Sequence, residues 1–285
     1  MKSLNEITVN IPTLNEENNI LNCINSVKKS GIKKIIVIDG GSTDKTLKLI
    51  KKKNITYYIA KKKGLAFQRA LGIKKSKTKY IALIDADHRP IKSSFLKMLN
   101  DLDKFDYVAV QPIIVSKKKN MNYFEKSYQK LCDINVNIKG AKKMIGMPAL
   151  WRSSIIKKNN FNIKITAGSD DTDLSYRLSK KGYVFGGSSA IIYNVHRPSF
   201  LQYVKKYLWY GKGDAQFILI HPNKIFSILK HQLFNYPIKY PLISLFKFDI
   251  FPIPFMITAG FLRFIGMVLE FIRRILGLKD KIYST

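Results

Sequence analysis

Three stretches of this 285-residue chain place carboxylates shortly after a short β-branched or apolar run. Residues 7–11 lead into Pro12, Thr13, Leu14, Asn15, Glu16 and Glu17, residues 34–38 into Asp39 and Asp44, and residues 80–84 into Asp85, Ala86 and Asp87. In open α/β sheets ligands bind beyond the carboxyl ends of the strands, so these acids should aim at one crevice. Like charges so placed repel unless a cation or a donor-rich ligand lies between them, and a divalent metal with a nucleotide would satisfy them. Asp85 and Asp87 are two apart, so in extended chain both carboxylates point the same way and can serve a metal and a ribose together. Carboxylate oxygen is a natural ligand for Mg²⁺ or Mn²⁺. A lone Asp-x-Asp is more often an exposed turn, but the apolar strand before it and the two other acidic strand ends favour the metal reading.

A second carboxylate pair, Asp170 and Asp171, follows Ala167-Gly168-Ser169 at an expected helix N-terminus, where the helix dipole favours the ionised form. Capping by Asp170, Asp171 or Asp173 and service as a general base are compatible readings of this pair.

The elements that must position these groups can be read from periodicity. Strands are expected over 7–11, 34–38, 55–59 and 80–84. The helices between them start near Asn15 with Ile20, Ile24 and Val27 on one face, run through Leu47 and Ile50, and span Leu65–Lys75. That βαβαβαβ order is the signature of a parallel sheet covered by helices. Further on come an extended run over 108–115, a helix over 123–131, a glycine-rich segment over 140–150, a helix over 171–181 and an extended run over 183–194. The expected organisation is a first half over 1–115, a second half over 116–215 and a helical extension over 216–285.

Over residues 6–215 the chain resembles glycosyltransferase family 2. The likeness rests on four motifs in order: Ile11-Pro12-Thr13-Leu14-Asn15-Glu16-Glu17, Val37-Ile38-Asp39-Gly40-Gly41-Ser42-Thr43-Asp44, Ala82-Leu83-Ile84-Asp85-Ala86-Asp87, and Asp170-Asp171-Thr172-Asp173-Leu174-Ser175-Tyr176-Arg177-Leu178. The resemblance implies a GT-A fold, an α/β Rossmann-like mixed sheet flanked by helices, here with a C-terminal amphipathic and hydrophobic helical extension. It implies that Pro12, Asn15 and Glu16 line a nucleoside pocket, that Asp39 accepts from the base, that Asp85 faces the ribose and that Asp87 holds the metal. Arg69 matches a position that approaches the nucleotide in relatives, with a surface arginine as its alternative. In the family's usual Glu-Asp slot stand Asp170 and Asp171, so the role of general base falls on Asp171 and the transfer should invert the anomeric configuration. His196 falls where many such enzymes place a third metal ligand, and a structural histidine is an equal reading. Trp209 falls near an acceptor motif, with packing as an equal reading. Leu14, Gly40 and Ala70 depart from the family pattern, which leaves the base of the nucleotide, uracil or guanine, open.

A net charge of +31 draws the chain toward anionic partners. Most of the excess is lysine spread along the whole sequence, no arginine-aromatic motif stands out, and no nucleic-acid partner is expected. Two cysteines far apart signal neither a disulfide framework nor a zinc site. The N-terminal residues carry no long apolar core of a secretory signal, so the catalytic part is expected in the cytoplasm. Residues 250–262 are uncharged, and a full span would have to take in Arg263. Arg263, Glu270 and Arg274 share one helical face opposite Phe261, Phe264, Ile265, Val268, Leu269 and Ile272, which favours a helix lying in a membrane surface over one crossing it. Lys224, Lys230, Lys239 and Lys247 would add attraction to anionic headgroups on the cytoplasmic side.

The expected activity is metal-dependent transfer from a UDP- or GDP-sugar to a glycan or lipid-linked glycan. Transfer to a polyprenyl phosphate is the near rival and needs no general base, and an inactive basic nucleic-acid- or membrane-binding module is the rival of another class.

Overall fold

The computed structural model describes residues 3–116, 121–195 and 199–278. In the first part of the chain β1 (Ile7–Thr13), α1 (Ile20–Lys29), β2 (Lys34–Asp39), α2 (Thr46–Lys52), β3 (Thr56–Ile59), α3 (Leu65–Lys75) and β4 (Tyr80–Leu83) alternate as the periodicity predicts. There follow β5 (His88–Pro90), α4 (Ser94–Lys104), β6 (Ala109–Ser116), α5 (Tyr123–Asn135), β7 (Gly140–Lys142), β8 (Ala149–Arg152), α6 (Ser153–Asn159), α7 (Asp170–Ser179) and β9 (Phe185–Asn194). The C-terminal part is helical: α8 (Phe200–Ile220), α9 (Ile225–Lys230), a π-helical stretch His231–Lys239, α10 (Tyr240–Phe246) and α11 (Ile253–Ile275).

The chain packs as two compact units. The first comprises Met1–Lys117, Asn137–Ile163 and Asp171–Val195, the second Lys118–Val136, Lys164–Asp170 and His196–Thr285. These units interleave along the sequence and group its segments otherwise than the three consecutive stretches expected. The reason is in the sheet, which recruits β8 and β9 from beyond α5 and leaves α5 with the C-terminal helices.

In the first unit the sheet runs β3-β2-β1-β4-β8-β6-β9-β5, with β7 paired to β9. Strands β1 to β4 are mutually parallel and β8 is antiparallel to both β4 and β6, which makes the sheet mixed. Every residue of β1 is buried, the mark of a central parallel strand covered on both faces. Successive side chains alternate between two cores: Tyr80, Ala82 and Ile84 pack with Val9, Ile24 and Phe95, while Ile81 and Leu83 pack with Trp151, Leu174 and Phe185. Helix α1 begins at Ile20, later than expected from Asn15, because Asn15 adopts a left-handed backbone with φ 55° and keeps the turn out of the helix.

The second unit is built on aromatic packing, with Tyr203, Tyr207, Tyr236, Tyr240 and Phe255 forming its core around Met256. Helices α8 and α11 lie close because Gly211 and Gly266 have no side chains: a Cβ at either would fall 1.9 Å or 2.2 Å from a carbonyl oxygen of the other helix. Arg263 and Glu270 turn into this unit, where Arg263 pairs with Asp214 at 2.8 Å and Glu270 is buried. Two of the three charges in the stripe read from the sequence, Arg263 and Glu270, thus belong to the inner face of α11, Arg274 stays 42% exposed, and Phe261, Ile265, Leu269 and Ile272 are exposed on the outside. Helix α11 is long and apolar enough, by length and composition, to cross a membrane.

Candidate active site

The strand registers put the acidic groups at one edge of the first unit. Ile36, Asn10, Leu83 and Ala149 form one row across β2, β1, β4 and β8. Asp39, Thr13 and Asp85 lie beyond this row on the parallel strands. Because β8 runs the other way, the residues before Ala149, including Gly146, lie beyond the same row.

At the end of β4 the chain turns so that ligand atoms of Asp85, Asp87 and His88 come within 4.8 Å of one another. His88 is buried, and its Nδ1 accepts from the backbone N–H of Asp85 at 2.9 Å. An accepting Nδ1 carries no proton, so its 3.6 Å approach to Asp87 Oδ1 is not an ion pair, and the imidazole instead braces the turn. Arg89 braces it further, donating to the Ala86 carbonyl at 2.6 Å and to Asn19 Oδ1 at 3.2 Å. Arg69 is buried, with Nη2 3.2 Å from Asp85 Oδ1 and its guanidinium 5.8 Å from the Phe161 ring centre. It is no surface arginine.

Asp87 Oδ1 is buried without a hydrogen-bond partner. A carboxylate oxygen in that condition is costly unless a cation meets it, which is the fit expected for a divalent metal. Glu16 reports the same field. Burial pushes its carboxyl above the usual range, the hydrogen bond from Asn19 opposes this, and the charges of Asp87 and Asp85 push it up again.

The loop carrying Glu16 is stitched to the loop after β2. Backbone N–H groups of Asn15, Glu16 and Glu17 donate to Ser42 Oγ, Thr46 Oγ1 and Asp44 Oδ2 at 2.8–3.0 Å, and Thr43 N–H returns a bond to Asn15 Oδ1. Asp39 is buried and accepts from the N–H groups of Gly41 and Ser42 and from the Ser42 hydroxyl, so it shapes this turn. Pro12 is buried in β1 opposite Ile38. Gln68 Nε2 ties the two strand ends together, donating to the carbonyls of Thr13 and Ile38 at 2.8 Å each. A Cβ on Gly40 would stand 3.0 Å from that amide, which accounts for the small residue at a position where the family often has Asp.

Asp170 opens α7 and is buried, and Asp171 follows it, half-buried. A Cβ at Gly146 would lie 3.3 Å from both Asp171 Oδ2 and Gln111 Nε2, so these two side chains share the space that Gly146 leaves. Lys142 Nζ in turn donates to Gln111 Oε1. Asp173 instead pairs with Arg177 at 2.8 Å, and Arg177 caps the carbonyls of Asn159 and Asn160, a structural clamp. In the second unit Trp209 is half-buried, its ring beside Gly168 and 5.6 Å from that of Tyr210. His196 lies outside the described residues.

Sequence reasoning missed His88, Gln68, Gln111 and Lys142. His88 stands directly after Asp87, where a side chain can fold back onto the N–H three residues earlier, and that signal was available. The other three act through residues distant in sequence, and no local pattern marks them.

A family model described as glycosyl transferase family 2 matches residues 8–169. An uncharacterized glycosyltransferase of Rickettsia conorii (strain ATCC VR-613 / Malish 7) is 30% identical over 173 residues, covering 58% of this chain and 29% of that protein. Another from Rickettsia felis (strain ATCC VR-1525 / URRWXCal2) is 33% identical over 132 residues, 44% of this chain and 20% of that protein. The chain therefore spans less than a third of the length of these relatives. Among solved structures, S. aureus TarS 1-349 in complex with UDP-GlcNAc aligns with TM-score 0.53 at 14% identity, covering 96% of this chain and 93% of that one. GalNAc-T7 with UDP, GalNAc and Mn²⁺ aligns with TM-score 0.55 at 12% identity, covering 76% and 52%. At such identities the likeness is one of fold, and it is the GT-A fold expected from the motifs.

Proposed function

The chain belongs to glycosyl transferase family 2, and from that premise we propose that it moves a sugar from a nucleotide-sugar donor to a hydroxyl of a glycan or lipid-linked glycan, with inversion at the anomeric carbon. The observation that carries this reading is the partnerless, buried oxygen of Asp87 beside Asp85 and Glu16, at the sheet edge where Asp171 meets Gly146.

In this reading the stitched loops around Asn15, Glu16 and Asp39, together with Pro12, form the nucleoside side of the pocket. Asp85, held by Arg69, faces the ribose. Asp87, with Asp85, would hold Mg²⁺ or Mn²⁺, which when bound neutralises charge on the departing diphosphate. Asp171 takes the proton from the acceptor hydroxyl as that oxygen attacks the anomeric carbon from the face opposite the leaving group. The Gln111 amide, itself held by Lys142, borders Gly146 together with this carboxylate. Asp170 and Trp209 are assigned to the acceptor, as the family resemblance implies. UDP and UDP-GlcNAc in the TarS structures, and UDP with Mn²⁺ in GalNAc-T7, support a UDP-sugar and a divalent metal as the first trial.

The test is a panel of UDP-, GDP- and dTDP-sugars with Mn²⁺ or a chelator, scored by release of nucleoside diphosphate. Metal-dependent release with one donor, abolished in Asp171→Asn while that variant still binds the donor, is the expected result. Full turnover by Asp171→Asn would remove the base from the mechanism and return polyprenyl phosphate to consideration as acceptor.

The second unit suits a protein held on the cytoplasmic face of an anionic bilayer. Its outward helix face is apolar, Phe226, Phe246 and Phe248 are 81–97% exposed, and Lys224, Lys230, Lys239 and Lys247 are interleaved with them. With Arg263 and Glu270 turned inward, the exposed charge of α11 is confined to its last turn at Arg274, which fits an in-plane helix pressed on lipid. Vesicles with anionic lipid should carry the protein on flotation at low salt, and Phe246→Ser with Phe248→Ser should weaken this. Equal recovery with neutral and anionic vesicles, unaffected by the double variant, would dismiss the reading.

A further inference from the structure

We propose that Asp214 and Arg263, through Ser169, are positioning residues for Asp171. The inference rests on the reading of Asp171 as general base. Its observations lie in the second unit, in the segment that leads into α7.

Asp214, on α8, is 1% exposed, and both its oxygens are fully engaged. Oδ1 accepts from Ser169 Oγ at 2.7 Å and from Arg263 Nη2 at 2.8 Å, and Oδ2 accepts from Arg263 Nε at 2.9 Å and from Gln232 Nε2 at 2.8 Å. Ser169 has φ 87°, a left-handed backbone that a residue with a side chain keeps only when its surroundings enforce it. The enforcing bond is the one to Asp214.

The same segment is held at two further points. Thr166 N–H donates to Gln216 Oε1 at 2.8 Å, and Gln216 Nε2 donates to Thr166 Oγ1 at 3.1 Å and to Glu270 Oε1 at 3.3 Å. A Cβ on Gly213 would fall 1.2 Å from the Gly168 carbonyl oxygen, so only glycine lets α8 pass there. Residues 166–169 are thus gripped by positions 213–216 of α8, and these in turn are braced by Arg263 and Glu270 of α11. Asp171 stands two peptide units beyond Ser169. Any slip of this segment passes through that short link to the carboxylate, and reaction rates fall steeply when a catalytic group is displaced by even about 1 Å.

The test compares Ser169→Gly, Asp214→Asn and Asp171→Asn in the full chain. Glycine accepts φ near +90° without strain, so Ser169→Gly removes the hydroxyl while sparing the fold. The expected result is a fall in kcat of about tenfold for Ser169→Gly and about a hundredfold for Asp214→Asn, with donor KM, nucleoside-diphosphate binding and, for Ser169→Gly, Tm unchanged. Wild-type kcat in folded Ser169→Gly overturns the proposal even if Asp214→Asn fails to fold. An inactive Asp171→Asn beside fully active Ser169→Gly and Asp214→Asn defeats the positioning role alone, whereas an active Asp171→Asn defeats the base assignment on which it rests.

Discussion

Two carboxylates, Glu16 in the first unit and Glu270 in the second, show how differently the two regions treat negative charge. Glu16 has its carboxyl pushed above the usual range by burial and then by Asp87 and Asp85. Burial would do the same to Glu270, but hydrogen bonds from Arg273, Arg274 and Gln216 outweigh it and bring the value to about 2. Asp87 and Asp214 repeat the contrast, one with an oxygen left without a partner and the other with both oxygens fully engaged. Acids answered by protein cations hold a fold together, and acids left crowded and unanswered await a cation from outside. Composition alone does not separate the two kinds.

Substitutions should break this contrast in a definite order. Asp87→Asn should lower turnover about a thousandfold and abolish any rise in Tm on adding Mn²⁺ to the wild-type protein, read by activity and by thermal shift. A variant that still responds to the ion would show that the metal is held elsewhere. Arg263→Ala should destabilise the fold by about 3–5 kcal/mol, because it strands the buried Asp214, and denaturant unfolding measures this. A loss below about 1 kcal/mol would mean that solvent reaches the pair.

Two pH series sharpen the contrast. A depressed carboxylate stabilises the fold above its ordinary pKa, and that gain is lost as pH falls through the folded value. Glu270→Gln should therefore cost roughly 1–2 kcal/mol at pH 6–8, allowing for solvent screening at Arg274, which is 42% exposed, and the difference should close as the pH falls toward 2. A raised carboxyl works the other way, contributing below its ordinary pKa and losing that contribution as pH rises through the folded value. Glu16→Gln should thus raise the Tm of the metal-free protein by about 1–3 °C at pH 7–8, leave it unchanged below about pH 4, and lose its advantage when Mn²⁺ is present. An advantage that persists with the metal would separate Glu16 from the cation's field.

Much of the sheet was legible because its signals are local. Residues 7–11, 34–38 and 80–84 fall in β1, β2 and at β4, since a short buried run rich in β-branched and apolar residues and closed by Pro or Asp has few other solutions. Helices α1 and α3 showed their buried faces in the spacing of Ile20, Ile24 and Val27 and in the span Leu65–Lys75. The carboxylates read after the strand ends lie, by the registers, toward one edge of the sheet. The start of α1 was misread because Glu16 and Glu17 resemble a first helical turn, whereas their N–H groups are taken by side chains of another loop.

The sequence by itself determined the motifs, the parallel half of the sheet and the family, because each depends on spacing within a few residues. Only the tertiary structure decided that β8 enters the sheet antiparallel and carries Gly146 to the acidic edge, that Gln111 and Asp171 both border Gly146, and that Arg263 faces Asp214 instead of water. The physical reason is common to all three. Periodicity tells which residues share a face, but what covers that face depends on contacts between segments far apart in the chain, and there an arginine on an apolar helix finds its partner inside.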